Sequence, residues 1–467
     1  MKFVLKTDTR ELLTDTMTPV NMYLKIRDAF PESVLLESSD YGANDNSVAY
    51  LCFNPIASFK IHNGQITQTF PDGKAQKTSL TKEISVVDAL ETFISHFETN
   101  LPETRFLSNG LFGYTAYEAV QYFEDISFKK KENNSEIPEI YYALYQNIVA
   151  VNVFNNQAKL FAHCYKSESN LDEIEKLLKA PARDSFAFRR DGTSVSNMND
   201  EDFVELVKKG IHHCIRGDVF QIVLSRRFRQ AFKGDDFSLY RVLRSINPSP
   251  YIFYFDLGNF KIFGSSPESQ LVVQDGVAEI HPIAGTFIRT GNDTQDEAKA
   301  KELAQDLKEN AEHMMLVDLA RNDLSRHGHN VSVEKDREVQ FYSHVIHLVS
   351  KVTGQKKTDT PTMQVVADTF PAGTLSGAPK HRAMQLIDSY ENSDRAFYGG
   401  AIGFIDFKGN YNHAIIIRSF LSKDNVLHYQ AGAGVVSKST PESELQEVYN
   451  KLRALNTAIE KTEKQFS

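Results

Sequence analysis

The sequence of 467 residues contains no tryptophan, only three cysteines and no hydrophobic run long enough to cross a membrane. Cys52, Cys164 and Cys214 are odd in number and far apart, which argues against a disulfide framework and against a thiolate metal site. The lack of a long apolar run argues against a membrane protein. The lack of tryptophan excludes nothing by itself, because chance explains it adequately.

Charge and the first residues narrow the class further. The formal net charge of -9 at pH 7 disfavours general binding to nucleic acid or to anionic membranes, although a local basic pocket could still bind a small anion. The segment MKFVLKTDTRELL lacks the apolar region of a secretory signal. We therefore expect a cytoplasmic protein that is long enough to form two or three packed subdomains.

A polar segment divides the sequence into two regions. Residues 184–202, DSFAFRRDGTSVSNMNDED, have few regularly spaced apolar positions and are interpreted as a linker between an N-terminal region, 1–183, and a C-terminal region, 203–467. After the linker, apolar residues at helical spacing predict a helix, and FQIVLSRRF then alternates like a half-buried strand. Several short β-rich runs follow. This order is an α/β (α+β) pattern that two sheets with surrounding helices would accommodate.

Two later segments combine helical periodicity with paired acids. In the first segment, Thr294 is placed to cap a helix on which Glu309 and Glu312 share one face. The apolar residues at helical spacing that we expect to point inward are Leu303, Leu307, Met314 and Met315. An E-x-x-E pair is most often a solvated acidic face, but this pair runs directly into the apolar HMMLVDLA.

The second acidic helix is predicted to begin at Thr440 and Pro441, because proline is favoured at the first helical position. Glu444 and Glu447 share a face of this helix. If the two helices face each other, four carboxylates meet in one pocket. Such an oxygen-rich site suits Mg²⁺, a hard ion that keeps several waters and takes few protein carboxylates directly.

Two glycine-rich segments could bind anions through their backbone. Gly432, Ala433 and Gly434 follow a strand-like run, and their small side chains would let N–H groups approach a carboxylate, although a tight turn is an equally simple interpretation. Residues 370–380, FPAGTLSGAPK, lead into an amphipathic helix whose N-terminus could attract an anion. The G-x-x-x-x-G-K-[ST] order is absent there, which argues against a nucleotide site.

Single residues with possible chemistry are ambiguous on their own. Arg418 closes an alternating run and could bind a carboxylate in bidentate fashion, but its pattern alone favours a surface position at the end of a strand. His344 and His347 lie in an apolar segment, and Glu268 follows a strand where its pKa could be raised. Spacing thus supports an anion-binding Mg²⁺ enzyme without naming its substrate.

Five motifs together resemble those of one known enzyme family. They closely resemble segments of the chorismate-utilising enzymes, and within that family they resemble component I of the anthranilate synthases. The motifs are PIAGT (282–286), AEHMMLVDLARNDL (311–324), FPAGTLSGAPK (370–380), YGGAIGF (398–404) and QAGAGVV (430–436). The resemblance implies a β-sandwich flanked by helices, with the active site in a cleft. It also implies an enzyme that makes anthranilate and pyruvate from chorismate and ammonia, at the start of tryptophan synthesis.

The resemblance assigns roles to matching positions. Glu312 and Glu447 would bind Mg²⁺, and Glu309 and Glu444 would hold its waters. Positions that match substrate contacts are Gly285, Thr286, Tyr398, Arg418, Gly432, Ala433, Gly434 and Lys451. Positions that match catalytic residues are Glu268, which would be the general acid, and His347 and Thr374, which would lie beside the reacting ring.

Two positions distinguish this chain from sister activities in the family. Isochorismate and salicylate synthases carry a water-activating lysine where this chain has Gln221, and glutamine cannot act as that base. Aminodeoxychorismate synthases typically carry a nucleophilic lysine where this chain has Ala284. The resemblance therefore favours ammonia as nucleophile, with Gln221 in the catalytic site, and anthranilate as product. Aminodeoxychorismate synthase component I is the nearest alternative.

Two further segments resemble the tryptophan feedback site of the family, although ordinary strand and turn structure would also explain them. The matching positions are Glu37, Ser38, Pro250, Tyr251 and Ile252. Ile252 replaces a common methionine, and Phe287-Ile288 departs from the usual arginine and proline. Because no glutaminase-like cysteine motif is evident, ammonia would come from a partner amidotransferase subunit, component II, in a heterotetramer. A non-catalytic, tryptophan-binding regulatory subunit is the alternative of another class.

Overall fold

The computed structural model describes residues 2–38, 47–81, 83–100, 104–129, 131, 136–181, 186–341 and 345–467, without the side chains of Thr286 and Lys308. The strands of the N-terminal region are β1 (Phe3–Leu13), β2 (Val34–Glu37), β3 (Val48–His62), β4 (Gln65–Thr69), β5 (Ala75–Ser79), β6 (Phe97–Thr99), β7 (Leu111–Thr115), β8 (Ile140–Asn152) and β9 (Gln157–Cys164). The later strands are β10 (Phe188–Ser196), β11 (Gln221–Gly234), β12 (Tyr251–Asp256), β13 (Phe260–Ser266), β14 (Ser269–Gln274), β15 (Val277–Ile280), β16 (Ile283–Ile288), β17 (Gly328–Phe341), β18 (Val345–Lys356), β19 (Gly377–Ala378), β20 (Ala401–Ile405), β21 (Tyr411–Ile415), β22 (Ser419–Lys423) and β23 (Val426–Val436).

Helices connect and cover these strands. They are α1 (Pro19–Ile26), α2 (Val86–Ser95), α3 (Leu171–Lys179), α4 (Asp200–Arg216), α5 (Asp236–Ile246), α6 (Asp293–Gln305), α7 (Leu307–Ser325), α8 (Thr362–Thr369), α9 (Gly373–Ser376), α10 (Lys380–Tyr390) and α11 (Pro441–Phe466). A short 3₁₀ turn spans Tyr117–Tyr122. In the part of the chain described here, no helix is both long and apolar enough to cross a membrane.

Most strands form two antiparallel sheets that share the long strands β3 and β8, while β6 pairs with β1 in parallel and β19 pairs with β11. In the first sheet the order is β5-β4-β3-β8-β7-β20-β21-β14-β15-β18, and β18 also pairs with β16 and β17. In the second sheet the order is β1-β9-β8-β3-β2-β12-β13-β22-β23-β11-β10. Strands from both regions of the sequence therefore contribute to both sheets.

A bulge in β3 marks the point where the chain passes from one sheet to the other. The register against β8 shifts between Pro55 and Ala57, and Asn54 adopts a left-handed backbone with φ 61°. Proline has no N–H to donate to a ladder, so a bulge is a natural position for it. Before the bulge β3 pairs with β2, and after it β3 pairs with β4. Bulged strands that change sheets are how sandwiches turn a corner.

Three large clusters of buried side chains lie inside and outside the sandwich. The inner cluster combines residues of both sheets, for example Tyr114 of β7 and Phe253 of β12. Helices α4, α5 and α11 cover the outer face of the second sheet, and α2, α7 and α8 cover the outer face of the first. The predicted fold class, a mixed helix and strand fold with a β-sandwich flanked by helices, is confirmed.

The predicted first acidic helix is wrong in its start and in its continuity. Asn292, not Thr294, caps α6, and its side chain accepts a hydrogen bond from the Gln295 N–H. An extended Asp306 then ends α6, and its carboxylate accepts the N–H of Glu309 at the start of α7. The break rotates the second half, so Leu307 is 88% exposed rather than inward, and Met314 is exposed as well.

Other predictions of local structure had mixed outcomes. The second acidic helix begins at Pro441 with Thr440 as its N-cap, as predicted. Part of the predicted linker is a strand: β10 pairs with β11, and its largely exposed side chains explain the lack of an apolar period. Residues 184 and 185 lie outside the described part of the chain, and the two region boundaries stay a prediction. The start of β11 is buried on both faces, so the expected alternation is wrong there.

Gly113 provides a test of how the two regions are joined. It lies on β7 between Tyr142 of β8 and Gly403 of β20. A Cβ atom here would overlap the Tyr141 carbonyl oxygen and lie 2.6 Å from the Tyr142 Cα. Because backbone cannot move aside cheaply, we expect Gly113→Ala to lower the free energy of unfolding by about 2–3 kcal/mol, measured by urea denaturation.

Gly354→Ala is a matched control for this substitution. Gly354 also lies in a strand, β18, but the atoms nearest to a Cβ there would be side-chain carbons of Val331 and Leu324, the first at 3.2 Å. We expect a smaller loss of stability for Gly354→Ala. Equal urea midpoints for the Gly113 variant and the unsubstituted protein would contradict the described packing of β7.

Candidate active site

A cavity of about 430 Å³ is enclosed by strands of both sheets and by α7 and α11. Strands β11, β16, β18 and β23 contribute side chains, and so do the β13–β14 turn, α9 and the segment between β21 and β22. Residues that are far apart in the sequence therefore share one space. Most of the residues predicted to be functional lie here.

Four carboxylates line this cavity, as the two E-x-x-E pairs predicted. Glu309 and Glu312 come from α7, and Glu444 and Glu447 come from α11. Residues three apart lie on the same face of a helix. On α11 the apolar face, which includes Val448, packs into the core, so the acidic face is left toward the cavity. Within the described residues, no three His, Cys, Asp or Glu side chains are close enough to form a metal cluster by themselves.

Glu268 has the environment of a general acid. It lies in the turn between β13 and β14, and the Thr374 hydroxyl donates a hydrogen bond to its Oε1 over 2.9 Å. Desolvation raises the pKa of the Glu268 carboxyl to about 7, although Thr374, Lys451 and Arg418 each lower it. Near neutral pH a substantial fraction of Glu268 is therefore protonated and able to donate.

His347 is held as a neutral imidazole. Its side chain on β18 is buried, and its Nδ1–H donates to the Gly285 carbonyl oxygen over 2.7 Å. Burial lowers the pKa of His347 to about 4. With Nδ1 carrying the proton, Nε2 is the nitrogen with a lone pair. His344, the other histidine of this segment, lies outside the described residues.

Two cationic side chains, Arg418 and Lys451, line the cavity near the acids Glu268 and Glu447. Arg418 does not close a strand as predicted, because β21 ends at Ile415 and Arg418 adopts a left-handed backbone with φ 49° before β22. Burial lowers its pKa, although Glu268 and Glu447 raise it. The Lys451 ammonium donates to the Gly432 carbonyl over 2.9 Å and lies 3.5 Å from Glu447. Together they make this wall suitable for a carboxylate.

Glycines are required where the backbone approaches other groups closely. A Cβ on Gly432 would lie 2.7 Å from the Leu224 carbonyl and 3.1 Å from the Tyr398 hydroxyl. A Cβ on Gly434 would lie 2.6 Å from Nε2 of Gln221. Because Gly432 and Gly434 have no side chains, β23 can lie close to these groups and leave the cavity beside it open.

Not every predicted contact lines the cavity. Gly285 lines it with φ 67°, and the Thr286 backbone pairs with His347, but the Thr286 side chain lies outside the described part of the structure. Ala433 is fully buried in the core on the other face of β23, which follows from strand alternation. Tyr398, Thr374 and Ala284 line the cavity as expected.

Gln221 presents an acceptor with no protein partner. It lines the cavity at the start of β11, and among the described residues its buried Oε1 accepts no hydrogen bond. A buried polar atom without a partner is costly, so this oxygen is suited to an N–H group of a ligand.

Sequence reasoning did not select several other lining residues. These are Val223, Pro267, Ile283, Leu316, Leu375, Ile417, Gln430, Ala431 and Ser443. Ser443 could have been found, because it lies one helical turn before Glu447 on α11. Gln430 begins a motif that was recognised. Val223 and Leu316 read as ordinary core positions and gave no signal.

The two segments that resemble a feedback site are adjacent in the second sheet. Glu37 of β2 pairs with Ile252 of β12. The Glu37 carboxylate is buried and accepts two hydrogen bonds from Arg244, at 2.7 and 2.8 Å, and one from the Tyr240 hydroxyl, at 2.6 Å. Ser38, Pro250 and Tyr251 flank this pair in the sequence, and Pro250 and Tyr251 are partly exposed.

Comparison with known proteins agrees with this site. A family model described as chorismate binding enzyme matches residues 32–457. The chain therefore belongs to the chorismate binding enzyme family. It is 37% identical over 469 residues to anthranilate synthase component 1 of Aquifex aeolicus (strain VF5), which covers 96% of this chain and 94% of that protein. It is 35% identical to anthranilate synthase component 1 of Bacillus subtilis (strain 168), covering 97% of this chain and 92% of that protein.

Solved structures show the same relationship. Anthranilate synthase component I from Streptococcus pneumoniae TIGR4 superposes with a TM-score of 0.74 at 31% identity, over 86% of this chain and 91% of that chain. MenF, the menaquinone-specific isochorismate synthase from Escherichia coli, also has a TM-score of 0.74, but its 18% identity over 98% of this chain and 95% of that chain shows the shared fold alone. The resemblance inferred from the five motifs is confirmed.

The pKa of Glu268 generates a prediction about pH. If Glu268 donates a proton, chorismate turnover falls as the pH rises through about 7, because the carboxyl is then ionised. The alkaline limb of the pH profile should be absent from the residual activity of Glu268→Gln. An unchanged limb in that variant would assign it to another group.

The raised pKa of Glu268 also has a consequence for stability. Folding raises the pKa of Glu268, so its favourable contribution is complete below the ordinary glutamate pKa and is lost as the pH rises through about 7. Glu268→Gln should therefore unfold at a similar temperature to the unsubstituted protein at pH 5, and at a higher temperature at pH 8.

Proposed function

We propose that this protein is the chorismate-consuming component of an anthranilate synthase. The observation that carries the proposal is the single cavity that contains Gln221, Ala284, the acid Glu268 and the four glutamates. Identities of 37% and 35%, over nearly the full length, to two proteins named anthranilate synthase component 1 support it. The substrate would be chorismate and ammonia, and the products would be anthranilate and pyruvate.

The donor set of the cavity fits a magnesium ion. Four carboxylates from two helices line the cavity and supply oxygen, the donor atom that Mg²⁺ prefers. Glu312 and Glu447 would hold Mg²⁺, and Glu309 and Glu444 would hold its waters. When bound, Mg²⁺ would neutralise the ring carboxylate of chorismate.

The protein's own groups bind and orient the rest of the substrate. The cationic wall of Arg418 and Lys451 suits the second carboxylate of chorismate, and guanidinium groups match carboxylates in geometry. Tyr398 and the glycines of β23 border the space for the ring. Because the Lys451 ammonium donates to the Gly432 carbonyl, β23 helps to fix the position of Lys451 in the cavity.

The reaction requires a proton at the leaving hydroxyl and a proton acceptor later. Glu268 would give its proton to the C4 hydroxyl, which departs as water while ammonia forms the C–N bond at C2. The excess proton on the new amine returns to Glu268, so this step balances. Neutral His347 would accept the C2 proton, and cleavage of the bond between C3 and the enolpyruvyl oxygen would release enolpyruvate. The enolpyruvate takes up one proton at its methylene carbon to become pyruvate, so this step balances as well.

Two cavity residues favour this product over its alternatives. Gln221 lacks the basicity to activate water, but its unpartnered Oε1 can accept an N–H of ammonia. Ala284 cannot act as a nucleophile, which disfavours the 4-amino product of an aminodeoxychorismate synthase. Cavity positions, rather than the fold, therefore carry the choice of reaction.

A second subunit would supply the ammonia. The name component 1 of the relatives implies a companion component, and a glutamine amidotransferase, component II, fits the required chemistry. We place both in a heterotetramer. This assembly belongs to the proposal together with the magnesium ion.

The proposal is tested with pure protein, chorismate, Mg²⁺ and ammonium, followed by anthranilate fluorescence and product chromatography. We expect anthranilate to form without any partner, because ammonium replaces the glutamine-derived ammonia. A 4-amino product would overturn the assignment in favour of aminodeoxychorismate synthase. Bound tryptophan without turnover would favour the regulatory subunit.

Glu312→Gln and Glu447→Gln test the metal site. Each change removes one anionic ligand at constant size, so we expect at least a 100-fold loss of Mg²⁺-dependent turnover with little change in unfolding temperature. Lys208→Gln, on the exposed face of α4, is a control that should keep full activity. Unchanged turnover in either glutamate variant would mean that the metal lies elsewhere.

Tryptophan is proposed as the feedback inhibitor. The support is the strand pairing that brings Glu37 beside Ile252, in two segments that resemble the family's inhibitor site. Since no residue of this pair lines the active cavity, inhibition would act through conformation. Glu37→Gln should weaken inhibition by tryptophan at least tenfold, measured as the inhibitory concentration, without changing kcat more than twofold. Unaltered inhibition would place the inhibitor site elsewhere.

A further inference from the structure

A fully buried ion pair lies behind the active cavity. Arg395 is 1% exposed, and its partner Glu391 is 4% exposed. The Arg395 Nε donates to Oε2 of Glu391 over 2.8 Å, and Nη2 donates to Oε1 over 2.6 Å, which is a bidentate pairing. Neither residue lines the cavity. Any influence on the reaction must therefore act through the residues that they contact.

The guanidinium holds two separate walls of the cavity at once. Its Nη1 donates to the Leu375 carbonyl over 2.5 Å, and its Nη2 donates to the Val223 carbonyl over 2.7 Å. Leu375 and Val223 both line the cavity, one from α9 and the other from β11. Thr374, which donates to the acid Glu268, is the residue next to Leu375. The rigid fork of arginine thus fixes the distance between these walls.

Arg395 also supports a third wall through its charge. Its guanidinium carbon lies 4.7 Å from the ring centroid of Tyr117 and 5.8 Å from that of Tyr398. Both distances are within the range of cation–π attraction. Tyr398 lines the cavity, and its hydroxyl is adjacent to the place that a Cβ on Gly432 would occupy.

Glu391 extends the network to a fourth wall. Its Oε1 accepts hydrogen bonds from the Ser225 N–H, at 2.8 Å, and from the Ser225 hydroxyl, at 2.7 Å. The Ser225 hydroxyl in turn accepts one from Nε2 of Gln430, at 2.7 Å. Gln430 lines the cavity from β23. The pair is therefore connected to cavity residues on four different segments.

Stability alone does not account for such a pair. Removing two charges from water costs several kcal/mol per ion, and replacing a buried pair by apolar residues of similar volume is often neutral or stabilising. A buried ion pair therefore indicates a role for its directional hydrogen bonds in fixing the groups around it. Here they end on the carbonyl and side-chain groups that shape the cavity.

We propose that Arg395 and Glu391 are positioning residues that set the spacing of the cavity walls for the reaction of chorismate. This inference deepens the proposed function and rests on it for the identity of the substrate. The pair holds Leu375, and with it the neighbouring Thr374 that donates to Glu268, and it also holds Val223 directly and Gln430 through Ser225. Loss of the pair should therefore affect the chemical step more than substrate binding.

The test is the double variant Arg395→Met/Glu391→Met, which removes both charges and retains an apolar core. We expect it to fold with a lowered unfolding temperature, because the Leu375 and Val223 carbonyls and the Ser225 N–H lose their partners. We expect kcat to fall at least 30-fold while KM for chorismate changes less than threefold. The readout is consumption of chorismate relative to the unsubstituted protein, so it does not depend on which product forms. A stable double variant with unchanged kcat would overturn the proposal.

A pH profile separates positioning from a merely structural role. Arg418 and Lys451 face Glu268 and are untouched in the double variant, whereas the Thr374 donor is no longer held in place. Since this hydrogen bond lowers the pKa of Glu268, the alkaline limb should move to higher pH. An alkaline limb at the original pH would count against the link through Leu375 and Thr374.

Arg27→Met is the matched control. Arg27 makes a bidentate pair with Asp235, both contacts at 3.0 Å, and its guanidinium lies over Phe186 and Phe237, but it does not line the cavity. We expect lower stability with kcat unchanged per folded molecule. If the double variant does not fold, Glu391→Gln serves in its place, because it keeps the size and one acceptor. For this variant we expect kcat to fall about tenfold, and an unchanged kcat would overturn the proposal.

Discussion

Removal of ionisable side chains from water is the constraint on which the rest of this structure depends. The same desolvation raises the pKa of Glu268 to about 7 and lowers that of His347 to about 4, so an acid and a neutral imidazole coexist near neutral pH. It also requires each buried charge to have a partner. The Arg395–Glu391 pair meets that requirement, and its remaining hydrogen bonds reach the walls of the cavity. The pKa values of these two cavity residues and the geometry of the cavity walls thus have one physical origin.

The sequence allowed a good deal of the site to be predicted. The two acidic pairs were visible at helical spacing, and Pro441 marked the start of α11 correctly. These are local signals, because helix caps and i, i+3 faces depend on neighbouring residues. That the two helices face one cavity is a matter of tertiary structure, which spacing alone could not establish. The break at Asp306 was missed because a helical pattern continues on both sides of it.

Long-range pairing was the part that the sequence could not supply. Glu391 and Arg395 are four residues apart, yet what matters is their contact with Val223 and Ser225, about 170 positions earlier, which no local pattern indicates. The edge strand β10 was interpreted as a linker because exposed side chains leave no apolar period. Assignment of substrate and product rested on resemblance. Gln221 and Ala284 were informative because the chemistry they prevent is specific.

The two sheets share β3 and β8, and β7 and β2 pair with β20 and β12 from the second half of the chain. Residues in these strand pairings cannot be substituted independently of their partners. A substitution on β7 that alters its twist or its side-chain size must be matched on β20, or the ladder between them is lost. Over evolutionary time β2 and the later strands that pair with it should therefore change together. If the N-terminal region were exchanged between distant relatives, the paired strands of the resulting chimaeras would no longer match in side-chain size and twist.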